Sequence, residues 1–261
     1  MSKPTWAERG RWGDRHYRFP GLEERKFPSV TTVIKVLAAP ALERWKQDQI
    51  AQNAYDKRDG WVGEDRTTAI KVIKAYGEGA ARRAADFGTE IHEMIEKGTS
   101  PTETDRIEAI NYLVAAAERI PQLGKHWRSE ITLLSLEHGF AGTADVLSFP
   151  DEAPGILRVS DWKTTKLGST VGWDSHIMQL AGLSLCEHWA DQDGTIHQLP
   201  AEILELSVIG LRPDATSVCR VIGDRYRIGR ARGAFLALLE AHLWQQDNPR
   251  LEFWETGEND E

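Results

Sequence analysis

Asp145, Asp161 and Lys163 are the residues whose types and spacing could do chemistry. Residues 140–149 and 156–162 read as short β-strands, and Pro150-Asp-Glu-Ala-Pro-Gly155 between them is turn-forming sequence. A hairpin whose turn centres on Ala153 sets Asp145 directly opposite Asp161, with Cβ atoms about 4.5–5.5 Å apart. Two carboxylates at that distance repel each other unless a cation lies with them, so the pair predicts a divalent-metal site. Lys163 stands two residues beyond Asp161 and therefore on the same face of its strand. A slip of one residue would put the acids on opposite faces, so everything in this reading depends on the register. Asp-x-Lys by itself reads equally well as a salt-bridged surface strand; the opposed Asp145 is what separates the two.

Phosphodiester hydrolysis suits such a set. Charge builds on the phosphorus oxygens and the attacking group must resemble hydroxide. A carboxylate-held Mg²⁺ stabilises that charge and makes water more acidic. A lysine beside it can hold the attacking water or neutralise the phosphate, and burial is expected to lower its pKa.

The elements that must position these residues follow from pattern. Residues 27–34 read as a β-rich stretch or a capped helix entry. Pro40 opens a helix through Leu42, Trp45 and Ile50. Helical sequence covers 67–96, with breaks expected near Gly77–Gly79 or Gly88, and another helix covers 103–119. Short strands are expected over 127–136, 140–149 and 156–162, then a helix over 174–189 and strands over 202–211 and 217–222. A last amphipathic helix places Phe235, Leu236, Leu239 and Leu243 on one face, and Trp189 and Trp244 are assigned to core faces. The order helix, three strands, helix, strand predicts an α/β layer on a mixed sheet.

Composition sets the outer limits. The chain has 261 residues, 41% hydrophobic and 28% charged, as in ordinary globular proteins. No apolar run reaches the roughly 20 residues that span a bilayer, and the polar first 18 residues do not resemble a secretory signal. A cytoplasmic, non-membrane protein is expected, with Cys186 and Cys219 too few for a disulfide framework or a four-thiolate cluster. The net charge of −8 does not exclude a nucleic-acid partner. Residues 251–261 carry five acids and no Lys or Arg, which leaves −3 for the rest. That balance does argue against coating DNA over the whole surface.

At four motifs the chain resembles the RecB-type branch of the PD-(D/E)XK nucleases, nearest to the mitochondrial genome maintenance exonuclease group with its phage and bacterial relatives. They are Gly88-Thr-Glu-Ile-His92, Gly142-Thr-Ala-Asp145, Asp161-Trp-Lys-Thr164 and the later Gln179. Pro28-Ser-Val-Thr-Thr-Val33 and Leu42-Glu-Arg-Trp-Lys46 extend it, so that it covers residues 27–190. The resemblance implies a PD-(D/E)XK core over 86–250, an N-terminal helical elaboration over 1–85 that guides DNA, a C-terminal helix and an acidic tail. It implies metal ligation by His92, Asp145, Asp161 and the Trp162 carbonyl, and catalysis by Lys163. It adds Glu130 on the first core strand and Gln179 near the site. Ala144 replaces the proline that usually precedes the aspartate, and Leu183 stands where a tyrosine is frequent. The cysteines of iron–sulfur relatives are missing, so no cluster is expected.

The activity so implied is a Mg²⁺- or Mn²⁺-dependent DNA exonuclease preferring single strands or free ends, in recombination, repair or replication. Trp45, Lys46, Arg82 and Arg83 in the helical half, with Thr164 and Lys166 beyond the motif strand, are the expected DNA contacts, because aromatics interleaved with cations hold single strands. A helicase or a recombination or single-strand-binding protein is a possible partner. Three alternatives stay open: a structure-specific or RNA-directed endonuclease, a DNA-binding subunit dependent on a helicase, and a small-molecule phosphoesterase.

Overall fold

The computed structural model describes residues 6–10, 14–37, 40–99, 107–172 and 174–247. The acidic tail and residues 100–106 lie outside them. The chain divides into two compact units, Ala38–Thr99 and a larger one made of residues 2–37 and 100–261. The expected boundary near residue 85 is therefore not where the chain divides.

The smaller unit is helical. Its helices, Pro40–Asp56 and Arg66–Lys97, pack on each other. The second starts at Asp65, whose carboxylate accepts from the Thr67 and Thr68 amides, and it ends at Gly98 in the left-handed conformation. It runs unbroken through Gly77, Gly79 and Gly88, where breaks were expected.

The larger unit is built on β1 (Ala7–Arg9), β2 (Arg15–Tyr17), β3 (Phe27–Pro28), α1 (Val30–Val33), α2 (Ile107–Arg119), β4 (Lys125–Ser135), β5 (Phe140–Phe149), β6 (Leu157–Thr164), α3 (Asp174–Leu183), β7 (His188–Ala190), β8 (Ile196–Gln198), β9 (Ile203–Leu211), β10 (Ser217–Ile222) and α4 (Arg225–Asp247). Seven strands form one mixed sheet in the order β10-β9-β6-β5-β4-β7-β8. The pairing is antiparallel throughout except between β6 and β9. A general α/β architecture is thus present; α2 is followed by β4, β5, β6 and α3, and two short strands not expected from the sequence, β7 and β8, come before β9.

Both faces of the central strands are covered, which is why residues 131–135 of β4 are all buried. Ile131 and Leu133 pack with Leu147, Val159, Leu180 and Phe235 in one core, while Leu134 and Ala141 pack with Tyr17, Phe19 and Phe27 in another. The second core corrects the expectation that residues 1–85 are helical. β1, β2 and β3 form their own sheet over the far face. Ser29 then caps α1, its hydroxyl accepting from the Thr32 amide at 3.0 Å.

The helix expected over 174–189 stops at Leu183, because Trp189 instead pairs with Leu133 and extends the sheet beyond β4. Two glycines allow the helices to seat closely. A Cβ on Gly142 would lie 2.7 Å from Leu183 and 3.0 Å from Val30, and one on Gly182 would lie 2.7 Å from the Phe235 ring. Along α4, Phe235 and Leu239 are buried, but Leu243 lies at the surface and Trp244 is 65% exposed, against the core position expected for it.

Phe235 is fully buried and its ring has little room to retreat. Gly182→Ala is therefore expected to cost about 1–3 kcal/mol through overpacking, read as a lowered thermal midpoint. An unchanged midpoint would show that α3 and α4 can separate freely.

Candidate active site

Strand β5 lies between β4 and β6, and two registers meet on it. On one side Val146 pairs with Ser160, Leu147 with Val159 and Ser148 with Arg158. Every pair is centred on Ala153, the register expected for the hairpin. Continued one step beyond its last pair, that register sets Asp145 opposite Asp161. On the other side Ser129 pairs with Val146 and Ile131 with Ala144, which sets Glu130 opposite Asp145. Glu130, Asp145 and Asp161 therefore occupy one transverse row across three adjacent strands.

The row is locally irregular. Glu130 has φ 47°, in the left-handed region that a non-glycine residue inside a strand rarely adopts. Strain of this kind persists only where the surroundings enforce it, and it gathers at functional positions. Carboxylate oxygens of Glu130 and Asp145 lie within 4.8 Å of each other. The Asp145 Oδ2 also accepts from the Trp162 amide at 2.8 Å. A side chain thus satisfies a backbone donor one step beyond the last β5–β6 pair.

Asp161 is almost buried, at 3% exposure. Lys163 Nζ lies 2.6 Å from its Oδ2 and 2.8 Å from its Oδ1, and Gln179 Nε2 on α3 donates to Oδ1 at 3.0 Å. The Trp162 side chain between them is buried on the opposite side of the strand, as alternation requires.

Burial by itself pulls the Lys163 pKa down, but the charges of Asp161 and then Asp145, with the Asp161 hydrogen bond, more than offset it. The net direction is upward, which corrects the expectation of a depressed lysine. Lys163 is held as a cation. A folded pKa above the unfolded one means that its contribution to stability is complete below the ordinary lysine value and is lost only as pH rises through the raised value.

The sequence reading missed His176. It lies one helical turn before Gln179, on the same side of α3. Burial first, and the Lys163 cation second, hold its pKa below the ordinary value, with Asp161 opposing. Its buried Nδ1 has no hydrogen-bond partner among the described residues. The i,i+3 spacing to Gln179 was the available signal.

The structure thus brings Glu130, Asp145, Asp161, Lys163, Gln179 and the Trp162 backbone together within the sheet unit. Thr164 ends β6 half-buried, and Lys166 is exposed in the loop after it. His92, Arg82, Arg83, Trp45 and Lys46 belong to the helical unit. There His92 is half-buried near the end of Arg66–Lys97. Arg82 and Arg83 are exposed, and Lys46 Nζ lies 2.7 Å from Glu43 one turn away. Trp45 lies on Pro40–Asp56, and its side chain is outside the described ones.

No protein-family model matches the sequence, and no curated protein does. Among solved structures, one titled "Crystal structure of SSO0001" aligns at 16% identity and a TM-score of 0.31. It covers 56% of this chain, which spans 62% of that one. A likeness of that size carries no inference about this chain.

Glycine adopts positive φ at no steric cost, whereas another residue there loses about 1–2 kcal/mol. Glu130→Gly also removes one anion from the row. With divalent ions chelated it is expected to raise stability by about 1 kcal/mol, a rise of about 2–4 °C in thermal midpoint. A lowered midpoint would mean that the Glu130 carboxylate stabilises the fold more than its backbone strains it.

Proposed function

We propose that this chain is a metal-dependent deoxyribonuclease of the PD-(D/E)XK type, acting on single-stranded DNA or free ends in recombination, repair or replication. The observation that carries the reading is the row of Glu130, Asp145 and Asp161 on three neighbouring strands, gathered with one lysine and one glutamine.

The donor set fits a hard divalent cation. Carboxylate oxygens are the ligands that Mg²⁺ and Mn²⁺ favour. Like charges on adjacent strands are unfavourable in isolation, and here backbone strain at Glu130 adds to the cost. Asp145 and Asp161 would hold the ion, with Glu130 beside them and the Trp162 carbonyl as the further ligand that the family resemblance suggests. A cation bound there would supply Lewis-acid stabilisation of phosphate charge and a more acidic water.

The remaining work falls to the chain's own side chains. Lys163, kept protonated by Asp161 and Asp145, presents positive charge to a phosphodiester and stabilises the charge that develops on its oxygens. Its hydrogen bonds to Asp161 fix the ammonium in place, and Gln179 holds Asp161 from the other side. As a cation, Lys163 is suited to electrostatic stabilisation and to donating a proton. The exonuclease mode and the preference for single strands come from the resemblance and not from the row.

The test is hydrolysis of end-labelled single- and double-stranded DNA by the full chain, with and without Mg²⁺ or Mn²⁺, beside Lys163→Ala. Cleavage should require the metal and fall by about 10²–10³ in the variant, the usual cost of removing one transition-state charge stabiliser. Wild-type protein that leaves every DNA intact with either metal, or a variant that cleaves at the normal rate, would remove the reading.

A further inference from the structure

Just before the carboxylate row, β4 carries Lys125-His126-Trp127-Arg128-Ser129, a basic and aromatic run in a chain whose net charge is −8. Lys125, His126 and Arg128 are exposed. No carboxylate among the described residues pairs with Lys125 or Arg128. The register of β4 on β5 shifts between His126 and Arg128, so that Trp127 is an extra residue there. Irregularities of this kind re-aim side chains beside functional sites.

What Trp127 and Arg128 meet is a stack of rings. The Arg128 guanidinium lies 5.2 Å from the Trp127 ring centre and 5.6 Å from that of Trp189 on β7. The two indoles meet edge to face at 5.8 Å. The His197 ring on β8 stacks on Trp189 at 4.5 Å and 23°, and Asp191 Oδ2, 2.8 Å from His197 Nε2, fixes its orientation. The indoles are half-buried against the core, while Arg128 and His197 form the outer layer, the latter with 40% of its side chain exposed. Core packing accounts for the indoles. It does not account for an exposed arginine layered on two of them without an acidic partner among the described residues.

We propose that Lys125, Trp127, Arg128, Trp189 and His197 form a stacking platform for unpaired bases, holding a single nucleic-acid strand beside the carboxylate row. The proposal rests on the nuclease reading and names the surface that would deliver its substrate. A guanidinium and an imidazole layered on indoles offer a π-face to any base, and the positive charge of Lys125 and Arg128 suits phosphates. Recognition would be independent of sequence, because no rigid hydrogen-bonding edge is presented. Arg128 precedes Glu130 by two residues on β4, so the platform adjoins the carboxylate row along the same strand.

The experiment compares three fluorescein-labelled probes by anisotropy, with the full chain in chelator: oligo-dT, an abasic oligomer of the same length and a duplex. The wild type should bind oligo-dT more tightly than the abasic probe. Arg128→Ala should remove that preference and weaken oligo-dT binding by about 5- to 100-fold, the range for losing one stacked base. Arg128→Lys keeps the charge without the plane, so it should lose the preference while retaining the salt dependence. A wild type that binds both single-stranded probes equally, or variants that keep the preference, would overturn the platform. Equal losses on the duplex and on oligo-dT would also overturn it, by reducing Arg128 to a phosphate contact. Metal-dependent cleavage by the wild type reports on the nuclease reading separately, so the two can fail independently.

Discussion

The arrangement of the sheet unit depends on strand β5 being held in two registers at once. Its pairing with β6 is centred on Ala153, and its pairing with β4 sets Glu130 opposite Asp145. Neither register alone gathers three acids. Together they align one carboxylate from each strand, and a shift of one residue on either side would turn one of them to the opposite face. The cores on the two faces enforce the registers, because Leu133 and Leu134 must enter different ones.

Two ends of β6 show how differently the fold treats buried charge. Arg158 is 5% exposed and has Glu205 at 2.5 Å and Glu152 at 2.9 Å, with the Leu123 carbonyl at 3.3 Å. That cation is fully answered, as a buried charge must be, and it ties the start of β6 to β9 and to the turn after α2. Three residues further on, Asp161 meets Lys163 at 2.6 Å, in the row that also holds Asp145 and the left-handed backbone of Glu130.

Charge and packing also explain why Lys163 is a cation. Burial favours a neutral amine, whereas two nearby carboxylates favour an ammonium, and the carboxylates prevail. From sequence only the burial could be argued, because the distance from Asp161 to the amine depends on a rotamer. Burial and then the same lysine depress His176, whose place beside the site follows from the seating of α3 on the sheet, made possible by the missing side chains of Gly142 and Gly182.

Local pattern was enough for the strands and for the hairpin. Strand 140–149, the turn at Ala153 and the weaker strand at 217–222 could all be read from alternation and turn chemistry, since these act over a few residues. The opposition of Asp145 to Asp161 followed from that local register. What needed the tertiary structure was everything set by distant partners. Trp189 leaves the expected helix because β4 offers an open edge, and β1, β2 and β3 form because Tyr17, Phe19 and Phe27 have a sheet face to cover. The strain at Glu130, the charge of Lys163 and the layering of Arg128 on two tryptophans depend on segments between two and more than sixty residues apart. Periodicity carries no record of such contacts; only the packed chain decides them.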